Sequence, residues 1–126
     1  MPRTILIVDD TFTCGDTLAL ALAALPDCDV QMVGSAQEAL KVASTVQLAA
    51  IVTDLHMPRI DGFELIRRIR LEARFAAVPI LVISGDSDAE TPARVRTLGA
   101  NAFFTKPFSP NAVRQTLEQL LYEKKP

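Results

Sequence analysis

Ala49-Ala50-Ile51-Val52-Thr53-Asp54-Leu55-His56-Met57-Pro58-Arg59-Ile60-Asp61-Gly62 is an apolar run that stops at a lone carboxylate, crosses a short proline-containing loop and restarts at an Asp-Gly pair. A short, nearly continuous apolar run with β-branched residues reads as a strand buried on both faces. Asp61 with Glu64 three residues later marks a helix start. A strand thus ends in Asp54, and a helix follows almost at once. The same arrangement recurs on either side of it. Ile5-Leu6-Ile7-Val8 ends in Asp9-Asp10, a run over 78–84 ends in Ser84, and Phe103-Phe104-Thr105 ends in Lys106. In an open parallel sheet the carboxyl ends of the strands line one edge, where ligands bind and residues distant in sequence meet.

Strands are expected over about 4–9, 29–33, 49–54, 78–84 and 102–105. The second, Asp29-Val30-Gln31-Met32-Val33, alternates polar and apolar residues and reads as an edge strand. Between the strands lie helical periodicities: Leu18, Ala21, Leu22 and Leu25, then Ala36, Ala39, Leu40 and Ala43, and at the end Val113, Leu117, Leu120 and Leu121. Ser35 with Glu38, and Ser109 followed by Pro110, mark two further helix starts. Five alternations of strand and helix define an α/β domain, a parallel sheet with helices on both faces. Phe103 and Phe104, adjacent on a strand, must face opposite sides of it.

Length and composition narrow the classes. The 126 residues suit a single domain over 1–126, and 49% hydrophobic with 22% charged residues is the balance of a compact folded chain. No apolar stretch reaches the roughly 20 residues that span a bilayer. The first four residues lead straight into a strand without a secretory signal, so a cytoplasmic, non-membrane location is expected. Cys14 and Cys28 form no metal-type pair and are read as buried or idle thiols. A formal charge of -2 argues against nucleic acid as partner. Arg67, Arg68, Arg70 and Arg74 cluster on one helix and are read as its solvated face. Glu123-Lys124-Lys125-Pro126 reads as a frayed helix end.

Over essentially its whole length the chain resembles the receiver (response-regulator) domain of two-component signalling, and is similar to the single-domain chemotaxis regulators. The resemblance rests on four motifs in order: Asp9-Asp10, Asp54 through Gly62, Ser84-Gly85 and Lys106-Pro107-Phe108. Any one alone is weak, since Asp-Asp pairs also occur as plain helix caps and Lys-Pro pairs as plain loops. With the flavodoxin-like strand order 2-1-3-4-5, strands one and three are neighbours, which brings Asp9 and Asp10 beside Asp54. Carboxylates that close repel by roughly 4 kcal/mol per pair at about 4 Å and an effective dielectric near 20. A hard divalent cation, Mg²⁺, together with Lys106, is the expected compensation.

The resemblance implies that Asp54 is the phosphoacceptor and that Asp10 ligates Mg²⁺ directly. It further implies that Asp9 acts mainly through metal-bound water, and that the backbone carbonyl of His56 completes the protein ligands. Ser84 and Lys106 would each bond a phosphoryl oxygen, and Phe103 would be the aromatic switch residue. The side chain of His56 is expected to be a solvent-facing loop group, Lys106-Pro107 to be cis, and Asp61-Gly62 to serve turn and helix-start geometry. The implied partners are a histidine kinase or histidine phosphotransfer protein and a downstream protein bound on the face of the fourth helix, fifth strand and fifth helix. The chain would act as a monomeric, stand-alone receiver and not as an enzyme in its own right. The alternatives are a flavodoxin-like flavin-binding protein, suggested by Thr11-Phe12-Thr13-Cys14-Gly15-Asp16-Thr17, a phosphatase acting through an aspartyl phosphate, and a receiver segment of a longer response regulator or hybrid kinase.

Overall fold

A computed structural model describes residues 3–10 and 15–122. The elements run β1 (Arg3–Val8), α1 (Gly15–Ala23), β2 (Cys28–Val33), α2 (Ala36–Ala43), β3 (Leu48–Thr53), α3 (Gly62–Leu71), a 3-10 turn (Ala73–Phe75), β4 (Ile80–Ser84), α4 (Thr91–Leu98), β5 (Ala102–Thr105) and α5 (Pro110–Tyr122). All strand pairs are parallel, in the order β2-β1-β3-β4-β5. The expected architecture and strand order are therefore the observed ones, with β2 on an edge. The widest departure in strand position is β4, which starts at Ile80 rather than Val78. Pro79 has no N–H to donate to a ladder, although its carbonyl still accepts from Ile51 N–H at 2.9 Å.

The sheet separates two apolar layers, because successive residues of each strand point to opposite faces. Leu6, Val8, Ile51, Ile80 and Val82 pack with Ala36, Ala39, Leu65, Ile66, Ile69 and Val95 of α2, α3 and α4. Ile5, Ile7, Val52, Leu81 and Ile83 pack with Leu18, Leu22, Val113 and Leu117 of α1 and α5. Phe103 joins the first layer and Phe104 the second. Each large aliphatic side chain buried this way contributes roughly 1.5–3 kcal/mol. β3, the middle strand, is buried at every one of its six positions. Of the apolar residues spaced along the last helix, Leu120 is 40% exposed, while Leu121, one residue on, reaches the layer.

The helix starts are the ones expected from sequence. Ser35 accepts from Glu38 N–H at 3.1 Å, Asp61 from Glu64 N–H at 2.9 Å, and Ser109 from Ala112 N–H at 3.2 Å. These side chains satisfy backbone donors that a helix leaves open at its first turn.

The arginine cluster needs a correction. Arg67 and Arg68 do lie on an exposed face, paired with Glu64, whose carboxyl they hold at about 2 instead of its usual 4.5. Arg70 instead turns inward and acts as a clamp. It donates to the Gly99 carbonyl from Nε at 3.1 Å and Nη2 at 2.9 Å, to the Phe75 carbonyl at 2.7 Å and to Asn101 Oδ1 at 3.1 Å. Gly99 ends α4 with φ 119, a left-handed conformation that glycine adopts without cost.

Candidate functional site

Register places the site. Val8 pairs with Thr53, and Asp54 N–H donates to the Val8 carbonyl at 3.0 Å, so the residues just past β1 and β3 lie side by side. Asp9, Asp10 and Asp54 each present a carboxylate oxygen, and the three oxygens lie within 4.8 Å of one another. Asp9 is 2% exposed. Three hard oxygen donors at that spacing form a set that can hold a small hard divalent cation.

Asp54 is held from both sides. Its Oδ1 accepts from Leu55 N–H at 2.7 Å, and its Oδ2 meets Lys106 Nζ at 2.7 Å. Lys106 arrives there because Ser84 pairs with Thr105 and Lys106 N–H donates to the Ser84 carbonyl at 2.9 Å. The Lys106-Pro107 peptide is cis, as expected. Ser84, wholly buried at the end of β4, accepts from Asp86 N–H on its Oγ at 3.0 Å. All the expected site residues except Phe103 thus stand at one edge of the sheet. Phe103 lies a few residues back along β5, partly buried against the α2-α3-α4 layer.

Gly62 has a reason beyond helix-start geometry. A Cβ there would stand 2.2 Å from the Asp54 carbonyl oxygen and 2.7 Å from Leu55 Cα, both backbone atoms. The start of α3 is therefore pressed against the main chain that carries Asp54, and only glycine permits it.

His56 is exposed, as expected, yet it has a partner. Its Nε2 lies 3.1 Å from Asp86 Oδ2, and its ring edge faces Phe63 with centroids 6.5 Å apart. Asp86 also accepts from Asp88 N–H at 2.8 Å and from the Thr91 hydroxyl at 3.2 Å. The Asp88 N–H, then His56, lower the Asp86 carboxyl below the usual carboxylate range. Sequence reasoning missed Thr91 altogether, although Asp88-Ala89-Glu90 ahead of it resembles the lead-in to a helix.

Cys28 is a free thiol, partly buried, with its Sγ 3.4 Å from the Tyr122 hydroxyl. Cys14, most of the loop that suggested flavin binding, and the segment 123–126 lie outside the described residues. Among the described residues no helix is long and apolar enough to cross a membrane.

Comparison with known proteins agrees with this geometry. Residues 5–118 match the family model of the response regulator receiver domain. The chain belongs to that family, the receiver domains of two-component signalling. It is 28% identical over 118 residues to chemotaxis protein CheY1 of Helicobacter pylori, covering 93% of this chain and 95% of that protein. Among solved structures, a putative response regulator from Chloroflexus aurantiacus matches with a TM-score of 0.86 at 30% identity, covering 96% of this chain and 98% of the other. Chemotaxis response regulator CheY4 of Vibrio cholerae matches with a TM-score of 0.83 at 26% identity, covering 96% and 100%. The flavin-binding alternative gains no support from these likenesses.

Proposed function

We propose that Asp54 is the phosphoacceptor of this receiver, and that its phosphorylation switches the α4-β5-α5 face for binding of a downstream protein. The observation that carries this reading is the placement of Asp54: its carboxylate meets Lys106 Nζ at 2.7 Å, beside two further carboxylates that can hold a cation. A carboxylate oxygen of Asp54 forms a bond to phosphorus while the P–N bond of a donor phosphohistidine breaks and the imidazole keeps the electron pair. Lys106 neutralises charge on the transferred group, and the Ser84 hydroxyl donates to one of its oxygens. Leu55 N–H fixes the rotation of the Asp54 carboxylate, so the attacking atom is oriented before the donor arrives. Asp9, Asp10, Asp54 and the His56 carbonyl would hold Mg²⁺, which when bound neutralises the carboxylates and the phosphoryl oxygens. The donor is a histidine kinase or histidine phosphotransfer protein, and the receiver domain assists its own phosphorylation rather than acting as an enzyme with a separate substrate.

The test is intact mass after treatment with acetyl phosphate and Mg²⁺. The wild type is expected to gain one acid-stable, base-labile phosphoryl group, and Asp54→Asn to gain none. Excess EDTA is expected to suppress the gain. Equal labelling of Asp54→Asn would overturn the assignment.

A further inference from the structure

Helix α4 begins without a cap of its own: its N-cap residue, Glu90, makes no side-chain capping bond. The segment before it is organised around Asp86 instead. The Asp86 backbone N–H is bonded to Ser84 Oγ, and its carboxylate receives the Asp88 N–H and the hydroxyl of Thr91, the first residue of α4. Thr91 is 4% exposed, and Asp88 in turn accepts from Glu90 N–H at 2.9 Å. One residue therefore joins a buried hydroxyl at the sheet edge to the first turn of a helix five residues further on. His56 reaches the same carboxylate from the loop after β3.

We propose that Asp86 and Thr91 are positioning residues that convert the position of the Ser84 hydroxyl into the position of α4. The inference rests on the reading of Asp54 as phosphoacceptor, because a phosphoryl oxygen there is what draws the Ser84 hydroxyl away. Turning Ser84 Oγ towards that oxygen weakens its bond to Asp86 N–H or carries the Asp86 main chain with it. The carboxylate of Asp86 then moves relative to Thr91, and the buried Thr91 hydroxyl follows its acceptor to stay hydrogen-bonded. The device needs no change in the sheet's ladders, since every bond in it is made by a side chain at the last residue of β4 or by groups beyond it.

The experiment is amide NMR of the full chain with Mg²⁺, with and without beryllofluoride, in the wild type, Thr91→Val, Thr91→Ser and Asp86→Ala. In the wild type, beryllofluoride is expected to shift Leu55, Ser84 and Lys106 and also residues 91–98. Thr91→Val is close to isosteric and lacks only the hydroxyl. It is expected to keep the shifts at Leu55 and Lys106 while those over 91–98 fall at least threefold. Thr91→Ser is expected to restore them, a rescue that general loosening of the helix would not show. Asp86→Ala removes the acceptor and is expected to reduce the α4 shifts as Thr91→Val does. Shifts over 91–98 of wild-type size in both Thr91→Val and Asp86→Ala, with Leu55 and Lys106 responding, would overturn this proposal and leave the phosphoacceptor reading intact. Absence of any response at Leu55, Ser84 and Lys106 in the wild type would overturn the phosphoacceptor reading and this one with it.

Discussion

At position 62 a hydrogen replaces a side chain so that α3 can start against the main chain of Asp54. The atoms a methyl group would meet, the Asp54 carbonyl oxygen and Leu55 Cα, belong to a backbone already fixed by the Asp54 and Gly62 hydrogen bonds to Val8 and Leu55. Gly62→Ala is therefore expected to cost about 3 kcal/mol, at the upper end of ordinary overpacking, and to slow phosphorylation by displacing Asp54. Urea denaturation and the rate of labelling by acetyl phosphate check both, and a wild-type midpoint would refute the steric account. Asp54 and Lys106 were legible in the sequence because each interrupts or follows a short apolar strand, a signal carried by a few adjacent residues. The pressure on Gly62 was not, because it comes from a main-chain approach that an Asp-Gly pair at a helix start does not distinguish from an ordinary turn.

Elements were readable for the same reason that single clamps were not. The five strands followed from their apolar and alternating patterns, and three helix starts from their capping residues, all of which are local, whereas the order of the strands came with the family resemblance. Arg70 looked like one of four surface arginines, yet its guanidinium bonds groups up to 31 residues away and ties α3 to the 3-10 turn, the end of α4 and the start of β5. Asn101 extends the clamp by accepting from Ile80 N–H at 2.8 Å. Hydrogen bonds from a charged donor are worth about 1.5–3 kcal/mol each, but they share one side chain and are not additive. Arg70→Ala is expected to lose about 2–3 kcal/mol. Arg70→Lys is expected to recover little of it, because an ammonium cannot span the forked acceptors. Chemical denaturation decides it, and a full recovery in Arg70→Lys would show that charge alone matters there.

Across the whole molecule, the last helix is fastened to the entry of the edge strand. The Tyr122 hydroxyl donates to the Pro26 carbonyl at 2.6 Å and meets Cys28 Sγ, closing a span of 96 residues that no local pattern announces. Partial burial, then the Cys28 contact, push the Tyr122 phenol up to about 12 from its usual 10.0. The folded chain therefore holds this proton between those values while the unfolded chain has released it. The resulting stability is present below about pH 10 and is lost as pH rises through about 12. The chain has one tyrosine, so phenolate absorbance reports this group alone. A folded-state midpoint near the ordinary value would refute the raised phenol, and Tyr122→Phe is expected to lessen the alkaline slope in stability. The burial of β3 at all six positions has a different consequence. The strand that carries Asp54 cannot shift without opening both apolar layers, whereas His56 and Asp86 sit on loops outside the sheet's ladders. If Asp54 is the phosphoacceptor, as proposed, substitutions at His56 and Asp86 are expected to change the lifetime of its phosphorylated form while the strand that positions Asp54 stays in place. On that reading, timing is adjustable at positions whose substitution leaves both apolar layers closed.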